Sequence, residues 1–398
     1  MSHTHKYAIL VGDGMADFPI PELGNRTPLE AASTPNMDKV VSRGHTGLVS
    51  TVPEGLAPGS DVANMSLLGY DPQMYYSGRA PIEAASMGIT LEAEDIAFRC
   101  NLVTLKNGIM EDYSAGHIET LDGAEIVTEL QQKLGNEKVH FYPGVSYRHL
   151  MVLKGLRAEL DCTPPHDISG KEYAGYLPKG KGSDFVIDIM ERAREILANS
   201  PINKKRVESG KMPATDIWLW GEGSALTLPT LREIFSLSGS VISAVDLVRG
   251  LGKLAGLKVR IVEGATGYLG TNYAGKVAAA KDALKEEDFV YLHVEAPDET
   301  SHEGSLEKKI QAIEEFDTFV VGEMLKLQDE LGNLKILVLP DHATPVSLRT
   351  HSEGPVPYGA CGTGIRVDQC EFYNEKVAQS CSAISGPALF RAFIQGTL

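Results

Sequence analysis

Residues Lys6–Gly12 read KYAILVG and lead directly into Asp13, within the motif GDGMAD. A run that is apolar at successive positions is typical of a central parallel strand that helices cover on both faces. The glycines on either side of Asp13 break the strand, so that its carboxyl end delivers a carboxylate. This stretch predicts an α/β fold built on a parallel sheet.

Two later segments of the chain repeat this design. The run DFVYLHVE, residues 288–295, leads into APDETSH, and the run KILVL, residues 335–339, leads into PDHATP. Between them, residues 305–328 carry one apolar stripe at helical spacing, which predicts the helix that crosses from one strand to the other. Ligand sites of open α/β sheets lie outside the carboxyl ends of the strands, so we expect the three strand ends to converge.

The polar residues at these strand ends have the chemistry of metal ligands. Two of them, Asp298 and His302, are four residues apart and would face the same side of a helical turn. Taken singly, each aspartate could be a helix cap and each histidine a surface residue. Together, three carboxylates and three imidazoles suit two divalent ions such as manganese or zinc better than calcium, which prefers oxygen ligands alone. The candidate ligands are Asp13, Asp298, His302, Asp341, His342 and His351.

A serine stands at the start of a predicted helix in APGSDVANMSLLGYDP, residues 57–72. Pro58 and Gly59 predict a tight turn that presents Ser60 with its hydroxyl exposed, near backbone N–H groups that can hold an anion. A serine in such a place is more often a helix cap than a nucleophile. The presence of the candidate metal ligands favours the nucleophile.

Composition restricts the class of function. The chain has 398 residues, of which 43% are hydrophobic, and this length predicts two domains or a large core with an insertion. A formal charge of -16 argues against binding to nucleic acid or to anionic membranes. The five cysteines form no CxxC pair, and no apolar run of about 18 residues could span a membrane. We therefore expect a cytoplasmic protein.

The middle of the chain differs from the rest, because its predicted strands do not end in aspartate or histidine. We interpret residues 84–215 as an inserted domain, and residues 1–83 and 216–398 as the metal-binding core. The run DIWLW, Asp216–Trp220, is then expected to re-enter the main sheet.

Five motifs, in the same order, resemble those of the archaeal-type branch of the cofactor-independent phosphoglycerate mutases: GDGMAD, PGSDVANMSLLGYDP, APDETSH, PDHATP and HSEGPVPYG. That family belongs to the alkaline phosphatase superfamily, and the resemblance covers nearly the whole chain. It implies an alkaline-phosphatase-like, doubly wound α/β core with an inserted smaller α+β domain that binds the substrate.

The resemblance also implies roles for single residues. Ser60 matches the serine that is phosphorylated in this family. One metal is then expected to bind Asp298, His302 and His351, and the other to bind Asp13, Asp341 and His342 together with Ser60.

The implied activity is the interconversion of 3-phosphoglycerate and 2-phosphoglycerate through a phosphoserine, at a site with two divalent ions. We expect manganese, with zinc, cobalt or magnesium as alternatives, and neither 2,3-bisphosphoglycerate nor a nucleotide as cofactor. The expected partner is a small phosphorylated substrate, with no nucleic acid and no membrane, and a homo-oligomer is left open. The core motifs do not exclude a metal-dependent phosphatase or a phosphopentomutase of the same superfamily.

The residues that bind the substrate are less clearly marked in the sequence. A phosphate-binding arginine is expected near WGEGSA, residues 220–225, where this chain has Glu222 and Ser224. For every candidate, a solvated surface residue is the alternative. The candidates are Arg79, His117, Arg148, Asp167 with its neighbour His166, and Lys276.

A kinase of a small alcohol such as homoserine is a further alternative. The segment Gly270–Lys276, GTNYAGK, matches the pattern GxxxxGK of phosphate-binding loops. However, Val277 stands where such a loop needs serine or threonine for magnesium, and Tyr273 is bulky for a residue within the loop. The sequence therefore favours the mutase.

Overall fold

The computed structural model describes residues 5–156, 159–379 and 381–398 of the chain. In chain order, the strands are β1 (Lys6–Gly12), β2 (Gly44–Ser50), β3 (Ile96–Lys106), β4 (Ile109–Asp112), β5 (Val139–Val145), β6 (Arg148–Leu153), β7 (Glu159–Asp161), β8 (Lys179–Lys181), β9 (Asp216–Ser224), β10 (Gly239–Ile242), β11 (Lys258–Val259), β12 (Phe289–Val294), β13 (Leu334–Leu339), β14 (Val356–Cys361) and β15 (Ala383–Ser385).

The α-helices are α1 (Pro28–Ala31), α2 (Pro35–Ser42), α3 (Ser60–Leu67), α4 (Pro72–Tyr75), α5 (Arg79–Ser86), α6 (Thr120–Leu134), α7 (Ser183–Ala198), α8 (Pro201–Glu208), α9 (Leu231–Phe235), α10 (Asp246–Leu254), α11 (Tyr273–Glu286), α12 (Ala296–His302), α13 (Leu306–Phe316), α14 (Gly322–Leu331), α15 (Glu375–Ala378) and α16 (Gly386–Gln395). In the described part of the chain, no helix is both long enough and apolar enough to cross a membrane.

The chain divides into two units. The first unit consists of the described residues up to Tyr76 together with Thr227–Leu398, and the second unit is Ser77–Leu226. The second unit extends further in both directions than the range 84–215 taken from the sequence. Helix α5, for example, belongs to the second unit and packs on β3 and β9.

The first unit is built on an eight-stranded sheet in the order β11-β10-β12-β1-β13-β14-β2-β15. Strand β1 lies between β12 and β13 and is parallel to both. Its side chains from Tyr7 onward are buried, as a central strand that is covered on both faces requires. The α/β class predicted from the sequence is confirmed.

The predicted helix between β12 and β13 is present, but its middle differs from the prediction. Helices α13 and α14 are joined by a π-helical turn, Asp317–Val321, and together they bury one apolar stripe in the core of the first unit. Within the turn, the Asp317 carboxylate accepts hydrogen bonds from the backbone N–H groups of Asn36 (3.2 Å) and Met37 (2.7 Å) at the start of α2. This long-range cap cannot be inferred from helical spacing.

The second unit contains an antiparallel sheet in the order β4-β3-β6-β5, and β9 pairs with the remaining edge of β3. Its core includes Phe98, Ile126 and Trp218, all fully buried. The prediction that Asp216–Trp220 re-enters the main sheet is wrong, because this segment is β9 and pairs with β3 along its length. An apolar run predicts a buried strand, but it carries no information about which sheet the strand joins.

Candidate metal centre and nucleophile

The three acidic motifs meet because they follow neighbouring strands. Asp13 comes directly after β1, and Asp341 follows β13 on one side of it. On the other side, β12 leads into the short helix α12, which carries Asp298 and His302 one turn apart. Pro297 lies in the first turn of α12, where its missing N–H removes no helical hydrogen bond. The predicted convergence of the three strand ends is thus observed.

The first ligand group consists of Asp13, Asp341 and His342, which are all buried and have ligand atoms within 4.8 Å of one another. His342 Nε2 lies 3.5 Å from an oxygen of each carboxylate. In the described part of the chain, Asp13 Oδ1 has no hydrogen-bond partner. Burial raises the pKa of Asp13 well above its ordinary value, and the neighbouring carboxylates of Asp341 and Asp298 raise it further. An oxygen that is buried among other carboxylates without a hydrogen bond fits a divalent cation.

The second ligand group consists of Asp298, His302 and His351. Asp298 Oδ2 lies 3.0 Å from His302 Nε2, and Asp298 Oδ1 lies 3.6 Å from His351 Nε2. The two Nε2 atoms of His302 and His351 are 3.2 Å apart, so both point into the same small space. Burial alone would lower the pKa of His302, but its bond to Asp298 outweighs this effect and raises the pKa to about 9. One carboxylate and two imidazoles that face one point are a usual ligand set for a transition-metal ion.

His342 adjoins both ligand groups. Its ring centre lies 4.1 Å from that of His351, and His342, Asp298 and His351 each offer a ligand atom within 4.8 Å of the others. The two groups predicted from the sequence are therefore contiguous. We call their six residues, taken together, the candidate metal centre.

Ser60 is the first residue of α3, and Gly59 rather than Ser60 occupies the cap position. The hydroxyl of Ser60 lies 3.1 Å from His342 Nε2. The side-chain amide of Asn64, one turn later, donates to the carbonyl of Ser60 (2.8 Å) and to Asp341 Oδ2 (2.7 Å). Tyr291 in turn donates to Asn64 Oδ1 at 2.6 Å, so Asn64 is held at both ends. Asn64 was not among the residues predicted from the sequence, although its position four residues after Ser60 placed it on the same helical face.

Gly14 explains the second glycine of GDGMAD. Its φ is +61°, and a Cβ atom there would lie 2.5 Å from Asp298 Oδ1 and 2.6 Å from Thr344 Oγ1. A side chain would therefore displace a candidate ligand as well as strain the backbone.

The second unit places the substrate candidates Arg79 and Arg148 in one cluster with Arg99. Glu83 lies at its centre, 3.0 Å from Arg79 Nε and 3.1 Å from Arg99 Nε. Burial opposes ionisation of Glu83, but Arg99 and Arg79, with a smaller contribution from Arg148, hold the pKa of its carboxyl below its ordinary value. Three guanidinium groups around one carboxylate leave an excess of positive charge. We call Arg79, Arg99, Arg148 and Glu83 the arginine cluster.

Arg99 lies next to the segment WGEGSA, near which an arginine was expected. It pairs with Trp220 across β3 and β9, and its guanidinium carbon lies 4.3 Å from the centre of the Trp220 ring. An arginine thus lies near residue 220 on another strand, and its binding of phosphate stays a prediction. The sequence signal for Arg99 is a lone arginine in the otherwise apolar run IAFRC, residues 96–100.

The other candidates of the second unit lie among aromatic rings. His117 and Arg148 both contact Tyr147, with the His117 ring centre 6.3 Å and the Arg148 guanidinium carbon 5.7 Å from that ring. Asp167 is exposed and lies 3.5 Å from His166, whose own ring centre is 5.3 Å from that of Trp220. The substrate-binding roles of these residues stay predictions.

Comparison of the sequence with known proteins identifies the family of the chain. Residues 41–203 match the family model described as 2,3-bisphosphoglycerate-independent phosphoglycerate mutase. A protein of that name from Methanosarcina acetivorans is 54% identical over 380 residues, which cover 95% of this chain and 96% of the relative. Another, from Methanothrix thermoacetophila, is 52% identical and covers 98% of this chain and all of the relative. The chain belongs to this mutase family.

Solved structures share this fold, and one of them is named as a mutase. A Pyrococcus horikoshii protein superposes with a TM-score of 0.84 at 29% identity, covering 98% of this chain and 97% of that one. The cofactor-independent phosphoglycerate mutase of Thermoplasma acidophilum superposes with a TM-score of 0.67 at 26% identity, covering 98% and 99%. The family resemblance stated from five motifs is confirmed.

In this mutase-family chain, the segment Gly270–Lys276 does not form a kinase loop. Lys276 lies within α11, is fully buried, and donates from Nζ to the carbonyl of His293 at 3.1 Å. The side chain of Asn272 caps α11 by accepting from the N–H of Gly275. Burial lowers the pKa of Lys276 to about 8. Its predicted contact with substrate stays a prediction.

Proposed function

We propose that the chain interconverts 3-phosphoglycerate and 2-phosphoglycerate by passing the phosphoryl group through Ser60. The observation that carries this proposal is the position of the Ser60 hydroxyl, 3.1 Å from His342 and beside two contiguous groups of candidate ligands. Family membership supports the same reaction, because the relatives are named for it.

The candidate metal centre would hold two divalent ions. One would bind Asp13, Asp341, His342 and Ser60, and the other Asp298, His302 and His351, with manganese expected first and zinc, cobalt or magnesium as alternatives. Bound cations of this kind supply charge that lowers the pKa of a serine hydroxyl and neutralises a phosphate. No 2,3-bisphosphoglycerate is expected to take part, because Ser60 itself would store the phosphoryl group.

The chemistry then consists of two balanced half-reactions at Ser60. In the first, a bond forms between Ser60 Oγ and phosphorus while the ester bond to the C3 oxygen of glycerate breaks. Ser60 loses its hydroxyl proton, and the C3 oxygen gains one. In the second, a bond forms between the C2 oxygen of the retained glycerate and phosphorus while the bond between Ser60 Oγ and phosphorus breaks. The C2 hydroxyl loses its proton, and Ser60 Oγ gains one. Asn64 fixes the start of α3 and Asp341 together, so the nucleophile and a ligand keep one spacing.

The arginine cluster is the proposed binding site for an anionic part of the substrate. A chain with a formal charge of -16 repels phosphoglycerate as a whole, so local positive charge is required. Guanidinium groups bind carboxylate and phosphate through paired N–H donors. Arg148 is exposed and therefore accessible to a ligand. His117, Asp167 and Lys276 remain further candidates for substrate contact.

One assay separates the mutase from the phosphatase alternative. The protein is incubated with manganese and 3-phosphoglycerate, without 2,3-bisphosphoglycerate or nucleotide, and both 2-phosphoglycerate and inorganic phosphate are measured. We expect 2-phosphoglycerate as the main product. Release of inorganic phosphate alone would overturn the mutase and support a phosphatase.

The five thiols are all free, which agrees with the cytoplasmic location predicted from the sequence.

A further inference from the structure

The hydroxyl of Thr344 contacts both ligand groups of the candidate metal centre. Thr344 lies two residues after His342 in PDHATP and is fully buried. Its Oγ1 is 2.5 Å from Asp298 Oδ1 and 3.1 Å from His342 Nδ1. Asp298 belongs to the second ligand group and His342 to the first. One hydroxyl therefore bridges the two groups.

The single proton of this hydroxyl decides which nitrogen of His342 carries hydrogen. A carboxylate only accepts hydrogen bonds, so the Thr344 proton must be donated to Asp298. The Thr344 oxygen is then the acceptor toward His342, and His342 Nδ1 must be the donor. In a neutral imidazole with hydrogen on Nδ1, Nε2 keeps its lone pair. That lone pair is on the nitrogen that lies 3.1 Å from the Ser60 hydroxyl.

Hydrogen bonds of its main chain hold Thr344 in place. Its N–H donates to the carbonyl of Ala16 at 3.1 Å, and its own carbonyl accepts from Lys309 Nζ at 2.9 Å. Lys309 is fully buried and also donates to the Ala16 carbonyl (3.1 Å) and to Asp17 Oδ2 (2.9 Å). A buried ion pair of this kind adds little stability by itself, because both charges lose their contact with water. Here the three hydrogen bonds of Lys309 fix the peptide that carries the Thr344 hydroxyl.

We infer that Thr344 is a positioning residue that couples the two ligand groups, because its hydroxyl sets the tautomer of His342 and the orientation of Asp298 together. The inference rests on the proposed function, since it assumes that both residues bind cations. Outer partners of this kind orient the ligands of metal sites, and their loss weakens metal affinity by about 10–100-fold.

The test compares two substitutions at one position. Thr344→Val keeps the shape of the side chain and removes the hydroxyl, whereas Thr344→Ser keeps the hydroxyl and removes a methyl group. Cation-free wild type and variants are titrated with zinc and with manganese by calorimetry. We expect affinity to fall by about 10–100-fold in Thr344→Val and to stay near wild type in Thr344→Ser.

A matched control is Thr300→Val. Thr300 is also fully buried and lies on the helix that carries Asp298, but within the described residues its hydroxyl is directed to the neighbouring carbonyls of Ala296 and Pro297 and not to a candidate ligand. We expect Thr300→Val to bind cations as wild type does. An equal loss of affinity in Thr300→Val and Thr344→Val would mean that general loosening of the site, not the bridge, causes the effect, and would overturn the inference.

A second readout needs no variant. Nitrogen-15 histidine spectra of the wild-type protein, cation-free and zinc-loaded, report which ring nitrogen of His342 is protonated. We expect hydrogen on Nδ1 in both states. Hydrogen on Nε2 of His342 in the cation-free protein, or a Thr344→Val variant with unchanged affinity, overturns the inference.

A further variant, Asp298→Asn, distinguishes an error in the role of Thr344 from an error in the proposed metal centre. If Asp298→Asn loses cation while Thr344→Val does not, the ligand assignment stands and only the coupling by Thr344 is wrong. If Asp298→Asn binds as well as wild type, or if wild type binds no divalent cation, the proposed metal centre is wrong and the role of Thr344 falls with it.

Discussion

The candidate metal centre and the arginine cluster bury charge in opposite ways. The metal centre places Asp13, Asp298 and Asp341 close together, and one oxygen of Asp13 has no hydrogen-bond partner in the described part of the chain. The arginine cluster surrounds Glu83 with cations, so its central charge is already compensated within the protein. Buried carboxylates that lie close together repel one another and need a cation from outside the protein. The arginine cluster already contains its counterion, and its remaining positive charge suits an anion that binds weakly and can leave. The first region is therefore suited to resident cations and the second to a passing anion.

The largest expected effect comes from Ser60→Ala, which removes the group that the metal centre would activate. Activity should fall on the order of 10⁴-fold or more, as when a covalent nucleophile is lost. Mass spectrometry of acid-quenched enzyme mixed with substrate should find phosphate on the peptide containing Ser60 in wild type alone. The control is Ser66→Ala on the same helix, which should keep full activity because the buried Ser66 packs beside Gly386 at the start of α16. Robust turnover by Ser60→Ala would refute the phosphoserine route.

His302→Gln tests whether the metal centre holds two ions rather than one. Elemental analysis should find about one ion per chain in the variant and about two in wild type, and activity should fall about 10³-fold because an ion supplies several kcal/mol of stabilisation. His140→Gln, in the second unit, is the control and should match wild type. Full metal content in His302→Gln would remove this histidine from the ligands.

Glu83→Gln tests the compensation within the arginine cluster. Removing the charge that Arg99 faces should lower the free energy of unfolding by about 3 kcal/mol, because it leaves a buried cation uncompensated. Added phosphate should restore part of this loss by binding the arginines. Asp188→Asn disrupts only the exposed pair with Arg192 and should change stability by less than about 1 kcal/mol. Denaturant titrations with and without phosphate measure both, and equal loss in the two variants would contradict the prediction.

Arg148→Met tests whether the cluster binds substrate. We expect KM to rise about tenfold, with a smaller change in kcat, because a charge-assisted contact to an anion is lost while Ser60 is untouched. The exposed Arg192→Met is the control, and its kinetics should equal those of wild type. A normal KM for Arg148→Met would argue that this arginine is only a surface residue.

The smallest effect is expected for the stability of Asp13→Asn. Without cations, this variant should be more stable than wild type by about 1 kcal/mol, because it relieves burial and repulsion among carboxylates. With manganese, the order should reverse, since the wild type gains the binding energy of the ion. Thermal unfolding with a chelator and with manganese measures both states. If the wild type were more stable than Asp13→Asn in chelator, the claim that the carboxylates of the metal centre need a bound cation would be contradicted.

The sequence by itself determined the parts of this protein that are local. Apolar runs that end in aspartate predicted β1, β12 and β13, and the rule that ligands gather at the carboxyl ends of parallel strands predicted the gathering of Asp13, Asp298 and Asp341. The turn before Ser60 and the spacing of Asp298 and His302 are likewise properties of a few consecutive residues. These features are readable because periodicity and turn chemistry act over one or two turns of chain.

Only the tertiary structure decided which distant segments meet. It placed β9 beside β3, so that Trp220 lies on Arg99, and it set the Thr344 hydroxyl between Asp298 and His342. It also used Asp317 in a π-helical turn to cap α2. An arginine in an apolar strand or a threonine after a histidine has the same local pattern whatever it contacts. Their partners are chosen by strand pairing and core packing across the chain, which no short stretch of sequence records.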